Sequence, residues 1–146
     1  MNLLEKNSYP PILQSSNLPI LQSSNPMFFK SLDQISAFIA GDETIIKEWL
    51  HPKNDAVDTN YSLAFAEVEP GKASLPHALR TSSEAYVIIA GEGIAYIDQE
   101  PQAVKPGDLV LIPAGAKQYI ENTGSENLRF LCIVSPPWSK DDEIVF

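Results

Sequence analysis

From Tyr61 onward, apolar and polar positions follow a two-residue period, and the runs are short and bounded by glycine and proline. Tyr61 to Val68 alternates and ends at Pro70-Gly71. Glu84 to Ala90 is almost wholly apolar; Gly91-Glu-Gly93 then turns the chain into Ile94 to Asp98. Pro106-Gly107-Asp108 precedes Leu109 to Ile112, and Pro113-Ala-Gly115 precedes Gln118 to Asn122. After Thr123-Gly-Ser125 comes a last apolar run, Leu128 to Val134. Alternation marks strands with one face buried, and Gly/Pro clusters mark the turns between them. Strands at this spacing predict an all-β sandwich or barrel.

The chain before Tyr61 reads differently. Ser31-x-x-Gln34 has the form of a capping box, and Leu32, Ile35, Phe38 and Ile39 share one helical face up to Gly41. This predicts a short N-terminal helix. Thr44 to Leu50 is ambiguous by period and is read as an outer strand, stopped by His51-Pro52. Residues 11–26 hold two copies of an eight-residue unit, Pro-Ile-Leu-Gln-Ser-Ser-Asn followed by Leu18 or Pro26, too few for a solenoid and suited to an extended tail. The expected division is a tail over 1–26 and one domain over 27–146, with Met27 as the expected native start; an arm that packs on a partner is the alternative. The C-terminal segment Pro136 to Glu143 is expected to be extended and acidic, with Trp138 on the outside of the barrel or against a partner.

Composition narrows the function classes. A chain of 146 residues, 44% hydrophobic, suits one domain. A net charge of −9 argues against nucleic acid and against an anionic membrane surface as partners. A single cysteine, Cys132 in an apolar run, allows no intrachain disulfide and is expected to be buried and inert. No apolar stretch approaches a membrane span, and the first residues lack a signal peptide's pattern, so the expected compartment is cytoplasmic.

Two motifs carry the candidate chemistry. The first is Gly71-x5-His77-x-Leu79-x4-Glu84-x6-Gly91; the second is Gly107-x5-Pro113-x-Gly115-x2-Gln118-x3-Asn122. Together they resemble the paired signatures of the cupin family. The resemblance implies a double-stranded β-helix, the jelly-roll barrel, with the key side chains at its mouth. It also implies a divalent metal (Mn, Fe, Zn or Ni) held where His77, Leu79, Glu84 and Gln118 stand, positions usually occupied by His, His, Glu and His. Leu79 cannot coordinate, and Gln118 offers only a neutral amide oxygen, so any metal at His77, Glu84 and Gln118 is expected to be weakly bound.

Glu84 is the candidate catalytic group, because a buried carboxyl needs a partner or a proton; Arg80 or Lys117 is the basic partner that would make its role structural instead. Tyr86 shares a strand face with Glu84 and is, with Gln118, a candidate substrate contact. Tyr96 and Tyr119 are further aromatic candidates, but alternation puts Tyr119 opposite Gln118. Asn122 is expected to fix the turn after its strand. His51, beside Pro52, is expected to pack rather than ligate. Gly91-x-Gly93 lacks the strand–loop–helix context of a nucleotide loop. The expected function is therefore a small enzyme with an atypical metal or small-molecule site, an isomerase or dioxygenase-like protein acting on a small organic or sugar substrate. The alternative is a non-catalytic module that binds a small ligand. A homodimer is expected, because Glu84 to Ala90 is apolar on both faces and a barrel has one interior; the second cover would be Thr44 to Leu50 or a second copy.

Overall fold

A computed structural model describes residues 27–146; the tail expected over 1–26 lies outside the described residues. Eleven strands follow one another: β1 Phe38–Ile39, β2 Ile45–Leu50, β3 Ser62–Val68, β4 His77–Leu79, β5 Ser83–Ala90, β6 Gly93–Ile97, β7 Glu100–Val104, β8 Leu109–Ile112, β9 Gln118–Asn122, β10 Leu128–Ser135 and β11 Glu143–Val145. Two antiparallel sheets result, one in the order β1-β2-β3-β10-β5-β8 and one in the order β11-β4-β9-β6-β7. No helix among the described residues is long and apolar enough to cross a membrane.

Period-2 burial builds the core between the sheets. Along β10, Leu128, Phe130, Cys132 and Val134 are buried and the residues between them are not. Along β9 the buried set is Gln118, Ile120 and Asn122. Ala66, Ile88, Ala95, Ile112, Ile120 and Phe130, each no more than 1% exposed, form the centre. Gly93 shows how closely a neighbouring strand and the facing sheet approach it: a Cβ on it would stand 2.3 Å from the Glu121 carbonyl oxygen and 2.7 Å from Leu128 Cδ2.

Asn122 fixes the turn after its strand. Its Nδ2 donates to the carbonyls of Val68 (2.8 Å) and Glu126 (2.7 Å), and its Oδ1 accepts from the Gly124 N–H (2.9 Å). Asn122→Ala would strand these buried groups and should cost about 3 kcal/mol, read as a lower urea midpoint at unchanged slope.

The expected N-terminal helix does not form. Leu32–Gln34 makes one 3-10 turn with no buried residue, and the Ser31 hydroxyl bonds the Asp33 carboxylate instead of capping a backbone N–H. Phe38 and Ile39, 51% and 65% exposed, have no core to face as a helical stripe. Their backbone pairs with β2 instead, Phe38 opposite Ile46 and Ile39 opposite Ile45. Thr44 to Leu50 does contribute a strand, but β2 extends the sheet beside β3 and does not lie over the outer face of β5.

Candidate functional site

At one end of the fold a cavity of about 350 Å³ opens between the β1–β2 hairpin, strands β3, β4, β5 and β10, and the C-terminal segment. Its walls are largely apolar, with Leu79, Tyr86, Phe130 and Trp138 among them; its polar pole comprises Asp42, His77, Glu84 and Glu143. The volume falls at the small end of the range for ligand pockets, about 300–1,000 Å³.

Strand geometry brings the candidates together. His77 on β4 stands opposite Gln118 on β9, and Glu84 and Tyr86 point inward from β5 at alternate positions. Gln118 Nε2 donates to Glu84 Oε2 at 2.9 Å. The amide oxygen of Gln118 is buried without a hydrogen-bond partner among the described residues. Gln118 itself sits behind Glu84 and is not part of the cavity wall. The basic residues considered as partners of Glu84 are engaged elsewhere: Arg80 Nη1 donates to the Asp141 carbonyl, and Lys117 Nζ lies 4.6 Å from the centre of the Phe146 ring.

Burial is the dominant influence on the Glu84 carboxyl. Its pKa is pushed from 4.5 up to about 7, chiefly by burial; His77 and the Gln118 hydrogen bond oppose the rise, and Asp42 adds to it. Burial also raises Glu143, again with Asp42 adding and His77 opposing. The Tyr86 hydroxyl and the Cys132 thiol are raised well above their ordinary values, so both stay protonated near neutrality.

His77, 4% exposed, has a defined orientation. Its Nδ1 lies 2.9 Å from the Leu75 carbonyl, which can only accept, so Nδ1 carries the proton; Asp42 Oδ2 stands farther off, at 3.7 Å. In the neutral ring this leaves a lone pair on Nε2, which has no hydrogen-bond partner among the described residues, at the cavity wall. His51 is a clamp: Nδ1 accepts from the Lys53 N–H (3.1 Å) and Nε2 donates to the Trp138 carbonyl (2.9 Å), leaving no ring nitrogen for a ligand. Trp138, whose carbonyl His51 holds, borders the cavity and remains 37% exposed. Tyr96 and Tyr119 stack on each other, 4.3 Å apart, away from the cavity.

Two acidic residues at the pole were not among the sequence candidates. Asp42 sits in the β1–β2 turn, where Oδ1 accepts from the Thr44 N–H (3.1 Å) and Oδ2 from the Thr44 hydroxyl (2.8 Å). Glu143 lies on β11 directly opposite Leu79. The only sequence signal for Asp42 is the turn-forming Asp42-x-Thr44; for Glu143 there is none, since its placement depends on a long-range pairing.

The donor set does not fit a resident transition metal. Leu79 is apolar, Gln118 turns its amide N–H to Glu84 and does not line the cavity, and no three His, Cys, Asp or Glu side chains among the described residues are grouped to hold an ion.

Known proteins share this architecture. Residues 64–134 match the family described as "Cupin domain". An uncharacterized protein of Methanocaldococcus jannaschii is 41% identical over 110 residues, which span 75% of this chain and 87% of that protein. An oxalate-binding protein of Thermotoga maritima is 31% identical over 77 residues, 51% of this chain and 64% of that protein. The crystal structure of a predicted oxalate decarboxylase from Thermotoga maritima superposes with a TM-score of 0.67 at 22% identity, covering 75% of this chain and 99% of that one.

Proposed function

The chain belongs to the cupin family, and within it we propose an enzyme that moves a proton on a small organic molecule. Glu84 is the acid–base group, His77 its neighbour on the substrate, Gln118 the residue that orients the Glu84 carboxyl, and Tyr86 a wall against which the substrate lies. The setting of Glu84 carries this reading: a carboxyl buried at a cavity wall, in no ion pair with Lys or Arg among the described residues, with its pKa raised to about 7. An acid–base group works best when its pKa lies near the operating pH. His77 offers an acceptor lone pair on Nε2, and Glu84 near neutrality can give or take a proton. Two such groups on one cavity suit isomerisation or dehydration, in which one atom of the substrate loses a proton while a neighbouring atom gains one. A divalent ion that entered would meet one imidazole and one carboxylate, and would be weakly held and lost to a chelator. The proton transfer assigned here runs through side chains alone.

The test uses chelator-treated protein with a panel of small sugars and hydroxy-carbonyl compounds in deuterated water. Deuterium should enter the carbon skeleton of a bound compound with the native protein and not with Glu84→Gln. The second reading, a ligand-binding module, is favoured by the name of the oxalate-binding relative. Binding without exchange at any carbon would establish that reading instead.

A second copy of the chain is the proposed protein partner. On the outer face of the six-stranded sheet, Phe65, Leu131, Val87 and Leu109 line up in register across four strands, with Ile133, Ala85 and Leu111 in the next row. Leu109 and Leu111 are 63% and 66% exposed, and no segment among the described residues covers them. Light scattering should give twice the chain mass, and Leu111→Glu should shift it to the monomer without lowering the melting temperature of the single chain.

A further inference from the structure

We propose that the cavity selects a small amine, an ammonium head on an apolar body, over the carboxylate suggested by its oxalate-binding relative. The inference deepens the reading of this cavity as the substrate site and rests on it.

The polar pole is built almost wholly of acceptors. Three carboxyl groups border it from three parts of the fold: Asp42 from the β1–β2 turn, Glu84 from β5 and Glu143 from β11. Asp42 has both oxygens on Thr44, so it contributes its field more than a free contact. Glu143 reaches over the same turn, with Oε2 3.5 Å from where a Cβ on Gly41 would stand. An independent observation points the same way. His77 is 4% exposed and lines the cavity, its Nδ1 is held by the Leu75 carbonyl, and its Nε2 has no hydrogen-bond partner among the described residues. The one Lys or Arg bordering the cavity, Lys140, is exposed and at the rim.

An ammonium brings three donors and no acceptor, the complement of this pole. A carboxylate would find few donors and would be held against three carboxyl groups inside a small cavity, where charges are poorly screened. The remaining walls suit the body of such a ligand. Leu79 and Val134 are apolar, and Tyr86, Phe130 and Trp138 supply aromatic faces, which attract a cation. Glu143 is the specificity-determining residue, because it stands beside Leu79, on the face of β4 that also carries His77, and borders the cavity.

Three probes of nearly equal shape decide the question: cyclohexylmethylamine, cyclohexylmethanol and cyclohexanecarboxylate, titrated by calorimetry and by amide shifts into full-length, chelator-treated protein at physiological salt. The amine should bind roughly tenfold or more tighter than the carboxylate, with the alcohol between them. Glu143→Gln should shrink that preference several-fold and leave alcohol binding unchanged. Equal or tighter binding of the carboxylate, or no binding of any probe at millimolar concentration, would overturn the proposal. If the variant does not fold, the native preference alone decides. An amine preference in native protein that exchanges deuterium into no bound compound refutes the proton-transfer reading alone; exchange with no preference refutes the substrate class alone.

Discussion

Glu84→Gln should make the protein more stable at pH 8 and leave its stability nearly unchanged near pH 4, while abolishing proton exchange on substrate. The substitution keeps the shape and the hydrogen bond, since an amide oxygen can accept from Gln118 Nε2 as the carboxylate does. What it removes is the cost of burying a charge. In the folded protein the Glu84 carboxyl holds its proton up to about pH 7, against 4.5 ordinarily. Below the lower value both folded and unfolded chains are protonated and the group adds no pH dependence. Between the two values the folded state binds more protons, so stability falls as pH rises. Above the upper value the full penalty applies, about 3 kcal/mol for a shift of this size. For a chain of this length that is a rise in melting temperature of roughly 8 °C at pH 8 in the variant. Glu143, raised in the same direction, should leave a residual downward slope with pH in the variant. A variant less stable than the native protein at pH 8 would mean that the Glu84 carboxylate has a stabilising partner. Thermal melts at the two pH values make the comparison.

The second large effect concerns metal. Leu79→His combined with Gln118→His should raise zinc or nickel affinity on the order of a hundredfold or more. Leu79 shares its strand face with His77, and Gln118 is paired directly with His77 across β4 and β9. Histidines there would complete a set of three imidazoles with the Glu84 carboxylate. The cavity framework need not change, because neither position holds one of the turn glycines or Asn122. Calorimetry would also detect protons released as the new imidazoles bind metal. Equal affinity in parent and double variant would mean that the geometry around His77 cannot bring four donors together.

How much of this was legible in the sequence depended on whether the signal was local. Strands β3, β5, β8, β9 and β10 announce themselves as short alternating or apolar runs that end near a glycine or proline turn, and β6 as one that begins at Gly93. The approach of His77, Glu84 and Gln118 was implied by the resemblance to the cupin motifs; period-2 geometry sets only which side chains of one strand share a face, as His77 and Leu79 do. Strand β7, Glu-Pro-Gln-Ala-Val from Glu100, was not, because it is a sheet edge with four exposed residues and a proline, and so shows no apolar alternation. The helix expected from Ser31 failed for a related reason. Leu32, Ile35, Phe38 and Ile39 fit a helical stripe by spacing, but no core faces them, and pairing of β1 with β2 satisfies the backbone instead. The hardest feature was the acidic pole. Glu143 reaches the cavity only because β11 pairs with β4, more than sixty residues earlier in the chain, and no local pattern records that pairing. The Asp42 turn fits the helix-stop reading of Gly41 equally well until the hairpin is seen. His51 was expected to pack, and its two hydrogen bonds are those of a clamp between a loop and the C-terminal segment.

The account turns on a carboxyl held ready for proton transfer by its surroundings. The most direct test is a carbon-13 NMR titration of the Glu84 side-chain carboxyl in chelator-treated protein, assigned by comparison with Glu84→Gln. A midpoint near 7 is the predicted result; a midpoint near 4.5 would contradict it, since Glu84 would then be an ordinary ionised carboxylate at neutral pH.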